Sequence, residues 1–214
     1  MRPPENWKRA PATLAIAGVT IIVSLLVLAS GRLLDAASLA GFIPARVEGA
    51  LHGLALLPVL VTPLTATLVH ASVAHLVLNL IVLLFCGRAV ENIIGSPPFV
   101  LLYVLGAYGA VAAQYLASLH SLEPMIGASG AISAVIGAYA ALFGRNKVKL
   151  GSAAVSTFTN ALWMVAAWVV LQYLVGFAFR STFGLDIAVA AHVGGFVVGL
   201  AIAKPLLLWR WRRA

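Results

Sequence analysis

Residues 125–137 read MIGASGAISAVIG, an apolar segment in which one serine, Ser129, is surrounded by glycine and alanine. Small residues are typical of membrane helices that pack closely, because no hydrophobic force drives helices together in lipid. The same small residues would leave space around the Ser129 hydroxyl for another molecule. The segment therefore predicts a tightly packed membrane helix, in which the serine is packing filler, a helix cap or a nucleophile.

The composition of the whole chain places this segment in a membrane. Of 214 residues, 62% are hydrophobic and 9% are charged, and the mean hydropathy is +1.04. Soluble domains average roughly 25% charged residues, so the composition predicts an all-α integral membrane protein. A helix needs roughly 20 apolar residues to cross a bilayer. The apolar segments of about that length are 12–30, 67–86, 98–119, 127–143, 158–179 and 187–208. They predict one six-transmembrane-helix bundle that occupies residues 1–214 as a single domain.

The basic residues predict the orientation of this bundle. If the N-terminus lies inside, only Arg32, Arg46 and Arg180 of the 14 Lys and Arg residues fall outside. An excess of Lys and Arg marks the cytoplasmic side, so both termini are expected in the cytoplasm. The positive surface would then face anionic lipid headgroups, and we expect the lipid bilayer, not nucleic acid, as its partner. The expected location is the inner (plasma) membrane of a bacterium.

Two segments leave alternatives open. The N-terminal basic residues and the run at 12–30 could be a cleaved signal peptide, although this run is long enough to span and a retained helix is favoured. Segment 32–66 is apolar but interrupted by prolines, which favours an interfacial external loop with short helical pieces over a seventh span. Cys86 is the only cysteine. It therefore forms no intrachain disulfide, and we expect a packed free thiol at the inner end of the second span.

Polar side chains inside membrane spans are costly, so each is a functional candidate. They are His70, His75 and Asn79 in the second span, Ser129 in the fourth and His192 in the sixth. Taken singly, a membrane serine usually bonds back to a carbonyl one turn earlier, and a histidine usually links helices. In a six-span protein, however, these three helices all enter from the outside. At 1.5 Å per residue, Ser129 and His192 lie within roughly 10 Å of their outer ends. The pattern predicts hydroxyl, imidazole and amide groups at one depth.

Such a set suits acyl transfer. A serine hydroxyl is a weak nucleophile until a base takes its proton, and imidazole is the commonest base; His192 is the candidate for Ser129. A tetrahedral intermediate also needs hydrogen-bond donors for its oxyanion. The N–H of Ser129 lies in a first helical turn, where amides lack intrahelical partners and the helix dipole favours negative charge. The Asn79 amide and a His75 N–H could complete this oxyanion hole.

No third catalytic residue and no metal site are expected. Asp186 precedes His192 by six residues and lies on another helix face, and Glu91 lies at the inner end of its helix. His70 and His75 are five residues apart, unlike the i, i+4 histidines of a zinc-binding helix. The pattern therefore predicts a Ser–His dyad that needs neither metal nor cofactor.

At these residues the sequence resembles the rhomboid intramembrane serine proteases. The family pattern is GxSG at the start of the fourth helix, a histidine in the sixth followed by spaced small residues, and two histidines and an asparagine in the second. The corresponding residues here are Gly127-Ala128-Ser129-Gly130, His192 with Gly195 and Gly199, and His70, His75 and Asn79. The resemblance covers roughly residues 12–208.

The resemblance implies roles for these residues. Ser129 would be the nucleophile, His192 the general base, and the Ser129 N–H, His75 and Asn79 the oxyanion hole. It also implies membrane-protein substrates, cut near the outer end of a transmembrane segment at small residues. The fifth span and the loop at 180–186 would move to admit them.

The chain departs from the family pattern at one position next to the site. Many rhomboids carry an aromatic residue that packs against the catalytic histidine where this chain has Ser133. A Trp-Arg pair found in the first external loop of some members is also not evident at 58–65. Two other functions stay open: a rhomboid-like protein that binds membrane segments without cutting them, and a small transporter or channel. The retained Ser129 and His192 disfavour the former, and the clustering of polar groups at one depth disfavours the latter.

Overall fold

The computed structural model describes residues 6–51, 56–144, 152–183 and 187–212. Within these ranges the helices are α1 (Pro11–Ser30), α2 (Leu33–Ala40), α3 (Thr62–Thr65), α4 (Val73–Ile94), α5 (Ser96–Ala117), α6 (Ser129–Phe143), α7 (Ala153–Phe183) and α8 (Val189–Trp211). Five of those described are long and apolar enough to cross a membrane, namely α1, α4, α5, α7 and α8. Helix α6 is apolar but has 15 residues. The predicted all-α fold is confirmed. The basic connection at 145–149 and Asp186 lie outside the described ranges.

The second predicted span differs most from its predicted bounds, because α4 begins later and ends later than 67–86. Ser72 caps the helix, with its hydroxyl accepting the N–H of His75 at 3.1 Å. His70 therefore lies before α4, and its predicted place inside the helix was wrong. The helix runs through a π-helical stretch at Leu83–Gly87 and continues to Ile94. Cys86 is buried and free in this stretch, as predicted, but it lies in the middle of the helix.

Helix α4 continues past Arg88, and the Glu91 carboxylate near its inner end is stabilised by hydrogen bonds inside the protein. This carboxylate is fully buried and accepts the N–H groups of Ala12 and Thr13 at 2.9 and 2.7 Å. The hydroxyls of Thr13 and Ser96 donate to it as well, each at 2.6 Å. The N–H groups belong to the first turn of α1, where amides lack intrahelical partners. Glu91 thus fixes the start of α1 against the inner end of α4.

Helices α6 and α8 pack against each other through small residues. A Cβ atom on Gly199 would collide with the carbonyl oxygen of Ala134, and one on Gly195 would collide with that of Gly130. Glycine at these positions is what allows the two backbones to approach this closely. The fourth and sixth spans are thus in direct contact, and α5 packs against both helices. This three-helix centre carries the site.

Helix α7 is the most loosely packed of the long helices. Only 6% of its most apolar stretch is buried, compared with 33% for α8 and 39% for α5. It packs chiefly against α8, where the rings of Trp168 and Phe196 stack with centroids 5.0 Å apart.

The described part of segment 32–66 contains short helices, and this segment holds the chain that leads into α6. The longest helix in its described part is α2, with eight residues. Phe42 and Met125 exchange backbone hydrogen bonds at 3.0 and 2.8 Å, and the N–H of Gly127 donates to the carbonyl oxygen of Ala66 at 2.8 Å. Residues 125–127 are thereby fixed outside α6, which begins at Ser129 and not at 127 as predicted.

Candidate active site

The side chains of Ser129 and His192 meet between α6 and α8. Ser129 is the first residue of α6, and His192 lies in the first turn of α8. His192 Nε2 lies 2.7 Å from Ser129 Oγ, within hydrogen-bonding distance. Because amides in a first helical turn lack intrahelical partners, the backbone N–H of Ser129 is available beside the same hydroxyl. The site therefore combines a hydroxyl, an imidazole and a helix N-terminus.

The other ring nitrogen of His192 bonds to a residue that the sequence analysis missed. His192 Nδ1 lies 2.6 Å from Gln172 Oε1, and the Gln172 side chain is 6% exposed. A carbonyl oxygen only accepts hydrogen bonds, so Nδ1 carries the proton and Nε2 offers its lone pair to the Ser129 hydroxyl. Gln172 is a polar residue inside an apolar span. That alone makes it a functional candidate, and this signal was available in the sequence.

Ser133, which stands where many rhomboids have an aromatic residue, does not support the His192 ring. Its hydroxyl donates to the carbonyl oxygen of Ser129 at 2.8 Å, the usual bond of a serine to the preceding helical turn. Trp168 instead contacts the histidine backbone, since its indole N–H donates to the His192 carbonyl oxygen at 3.3 Å. Support for His192 therefore comes from α7.

Gly127 and His75 form the side of the site next to α4. Gly127 has φ +113°, and a Cβ atom there would lie 2.7 Å from His75 Cε1. Only glycine combines this backbone conformation with so close a neighbour. The His75 ring thus lies against the backbone just before Ser129. Asn79 is one turn further along α4, where its Nδ2 donates to the His75 carbonyl oxygen at 2.9 Å. This bond uses one of the two amide hydrogens of Asn79.

His70 lies behind the site and is fully buried. Its Nε2 accepts the N–H of Ala128 at 3.4 Å, so Nδ1 carries the proton and donates to Ser24 Oγ at 2.9 Å. The Ser24 hydroxyl in turn donates to the carbonyl oxygen of Leu68 at 2.8 Å. Burial, and secondly the charge of neighbouring His75, lower the pKa of His70 to about 4. The neutral ring therefore holds the backbone that leads into α6.

No described carboxylate belongs to this site. Glu91 is bound to the start of α1, and Asp186 lies outside the described residues. Within 6–51, 56–144, 152–183 and 187–212, no group of three His, Cys, Asp or Glu residues could hold a metal ion.

Comparison with known proteins shows the family to which the chain belongs. The family model for the Rhomboid domain matches residues 58–209, which is most of the chain and includes the residues around Ser129. The chain belongs to the rhomboid family. Over 142 residues this rhomboid is 33% identical to Rhomboid protease GlpG of Enterobacter sp. strain 638, a match covering 65% of this chain and 46% of that protein. Over 145 residues it is 32% identical to Rhomboid protease GluP of Bacillus subtilis strain 168, covering 67% of this chain and 25% of that protein.

A third relative agrees with these two. The rhomboid is 30% identical over 142 residues to Rhomboid protease GlpG of Salmonella paratyphi A, with 65% of this chain and 46% of that protein covered. The matched region thus spans less than half the length of each of these relatives. Family membership and the five long apolar helices among the described residues make this rhomboid a multi-pass integral membrane protein.

Proposed function

We propose that this rhomboid is an intramembrane serine endopeptidase that hydrolyses peptide bonds in or near the transmembrane segments of membrane proteins. The observation that carries the proposal is the 2.7 Å separation of His192 Nε2 and Ser129 Oγ, on two different helices. The names of the relatives, each a rhomboid protease, support it. In this proposal the domain comprises residues 1–214 and lies in a bacterial inner membrane, with six spans and both termini in the cytoplasm.

The short length of α6 supports the proposal that the nucleophile, Ser129, lies below the outer membrane surface. Its 15 residues extend about 22 Å at 1.5 Å per residue, and the hydrocarbon core is about 30 Å thick. If the inner end of α6 is level with its neighbours, Ser129 lies several ångströms below the outer surface. A scissile bond near the outer end of a substrate helix would lie at that depth.

In the first half of the reaction, His192 Nε2 removes the hydroxyl proton while Ser129 Oγ attacks the scissile carbonyl carbon. The imidazolium then gives this proton to the leaving nitrogen, and the carbon–nitrogen bond breaks. The amine product departs, and the remaining part of the substrate is an ester on Ser129.

The tetrahedral intermediate needs donors aimed at its oxyanion. The N–H of Ser129, at the positive end of the α6 dipole, is the first donor. The His75 ring lies against Gly127, and the second amide hydrogen of Asn79 is not used by its bond to His75. These two side chains are the further donors in the proposal. Gly127 and Gly130 leave room for the substrate backbone.

In the second half, a water molecule replaces the departed amine. His192 Nε2 takes a proton from this water as its oxygen attacks the ester carbonyl. The proton then passes to Ser129 Oγ, and the carboxylic acid product leaves. His192 passes on each proton that it accepts, first to the leaving nitrogen and then to Ser129 Oγ. Each cleaved peptide bond therefore uses one water molecule, and the proposed mechanism needs no metal or cofactor.

Cleavage of a defined membrane substrate tests this proposal. The purified protein is reconstituted in liposomes with a single-pass substrate that carries small residues near its outer end. Wild type and Ser133→Ala should cut it, and Ser129→Ala should not. Binding of varied substrates without cleavage by wild type would support the non-catalytic alternative. Solute flux that survives Ser129→Ala would support a transporter.

A further inference from the structure

We propose that Gln172 is a positioning residue, which holds His192 in the tautomer and orientation that the base requires, so that helix α7 takes part in catalysis. The inference rests on the proposed protease function. It starts from a hydrogen bond of 2.6 Å between two side chains on different helices.

The helix register brings Gln172 to His192. Trp168 stacks on Phe196, and a Cβ atom on Gly176 would lie 3.3 Å from Val189. These contacts are four residues before and after Gln172 on the same face of α7, and they follow α8 in the opposite direction. Gln172 is therefore fixed at the level of the imidazole by contacts on both sides.

Its burial indicates that the Gln172 amide has a specific purpose. The side chain is 6% exposed, whereas the adjacent Tyr173 and Leu174 are 67% and 62% exposed. Burying an amide in apolar surroundings is unfavourable unless it is hydrogen-bonded. An apolar residue would fill this position at no such cost, and the bond to His192 offsets it.

The tautomer determines whether His192 can act as a base. A neutral imidazole has one protonated nitrogen, and Ser129 needs an unprotonated Nε2 to accept its proton. The carbonyl oxygen of Gln172 selects this form by accepting Nδ1–H. When Nε2 takes the serine proton, the ring becomes positive and the same bond becomes charge-assisted and stronger. An interaction that strengthens in the transition state raises kcat more than it changes KM.

The same arrangement explains how the His192 imidazole is held although position 133 has a serine in place of an aromatic residue. The hydroxyl of Ser133 is bonded to the Ser129 carbonyl oxygen, and so the orientation of the imidazole depends on α7. This helix is the least buried of the long ones. The contacts of Gln172 and Trp168 with His192 therefore hold the imidazole in place.

Substitution of Gln172 by a residue of similar size that cannot accept the bond tests the inference. Methionine is unbranched and adapts to irregular space, so Gln172→Met should fold. We expect kcat on the single-pass substrate to fall about 10- to 100-fold with KM within about twofold, since misplacing a catalytic group has effects of this order. Gln172→Glu retains an acceptor and should keep kcat within about threefold of wild type. Tyr173→Leu, on the exposed face of α7, is the matched control and should behave as wild type.

The outcomes separate this inference from the protease function itself. If wild type cuts the substrate and Gln172→Met has the same kcat, the positioning role is wrong although the function stands. The role is also wrong if Gln172→Glu is as slow as Gln172→Met. Nitrogen-15 NMR spectra of the His192 ring provide a readout independent of activity. Protonated Nδ1 in wild type and a mixture of tautomers in Gln172→Met support the role, and identical spectra overturn it.

Discussion

His70 Nε2 accepts the backbone N–H of Ala128 at 3.4 Å, and its Nδ1 is bound to Ser24 in α1. A buried ring thus connects the first helix of the chain to the residue that precedes Ser129. His70 was selected from the sequence as part of the family pattern, next to His75. In the structure His70 does not contact Ser129 itself but holds the backbone of the preceding residue, Ala128.

The first prediction concerns the pH dependence of stability. Burial lowers the pKa of His70 from 6.5 to about 4, so between these values the unfolded chain binds a proton there and the folded chain does not. The free energy of unfolding should therefore decrease as the pH falls from about 6.5 to about 4. Below pH 4 this contribution is constant, and above pH 6.5 it is fully present.

Thermal unfolding in detergent at several pH values, for wild type and His70→Leu, isolates this contribution. The variant should be less stable at pH 7.5 because Ala128 loses its acceptor, and its stability should fall less steeply with acid. An equally steep decrease in both proteins would show that His70 does not titrate in this way.

The second prediction concerns the buried carboxylate of Glu91, which has four hydrogen-bond donors. In Glu91→Gln one carboxylate oxygen becomes an amide nitrogen that faces these donors. Leaving buried donors unpaired costs about 1–3 kcal/mol each, so the free energy of unfolding should decrease by about 2–4 kcal/mol. Chemical denaturation in mixed micelles measures the change.

Glu123→Gln serves as the control for that measurement, because Glu123 is exposed and its substitution should alter stability by less than about 0.5 kcal/mol. Equal stabilities for the Glu91 and Glu123 variants would contradict a role of Glu91 in holding α1.

The third prediction concerns Gly127→Ala. The new Cβ atom would require φ +113° and would lie 2.7 Å from His75 Cε1, so the backbone before Ser129 or the His75 ring must move. A displacement of about 1 Å near reacting groups reduces rates about 100-fold, and the rate of substrate cleavage should fall by this order.

Gly31→Ala separates backbone strain from the collision. Gly31 has φ +71°, and nothing lies within 4 Å of a Cβ atom there. Alanine at this position should cost about 1 kcal/mol of stability and leave the cleavage rate unchanged. If both alanine variants cleave at the wild-type rate, the Gly127–His75 contact is not needed for activity.

The sequence predicted the helical class and a common level for Ser129 and His192, because both follow from where the apolar runs begin and end. Apolar runs predict spans, and the distance of a polar residue from the start of its run predicts its level in the bundle. Ser129 and His192 could therefore be assigned to one level, and in the structure their side chains lie 2.7 Å apart.

Features that depend on individual tertiary contacts could not be predicted in this way. Hydropathy ended the second span at 86 because of Arg88 and Glu91, but Glu91 is satisfied by partners that are distant in the sequence. The Ser72 cap likewise moved the helix start beyond His70. Gln172 was visible as a polar residue in an apolar span, but its pairing with His192 depends on how α7 and α8 are aligned.

Reaction with a fluorophosphonate probe tests the central claim most directly, because the probe forms a covalent bond with a serine hydroxyl that a neighbouring base activates. Wild type and Ser133→Ala should gain the mass of one adduct, and peptide mapping should assign it to Ser129. Ser129→Ala and His192→Ala should remain unlabelled under the same conditions. Equal labelling of wild type and Ser129→Ala, or no labelling of wild type by any such probe, would contradict the assignment of Ser129 as the nucleophile.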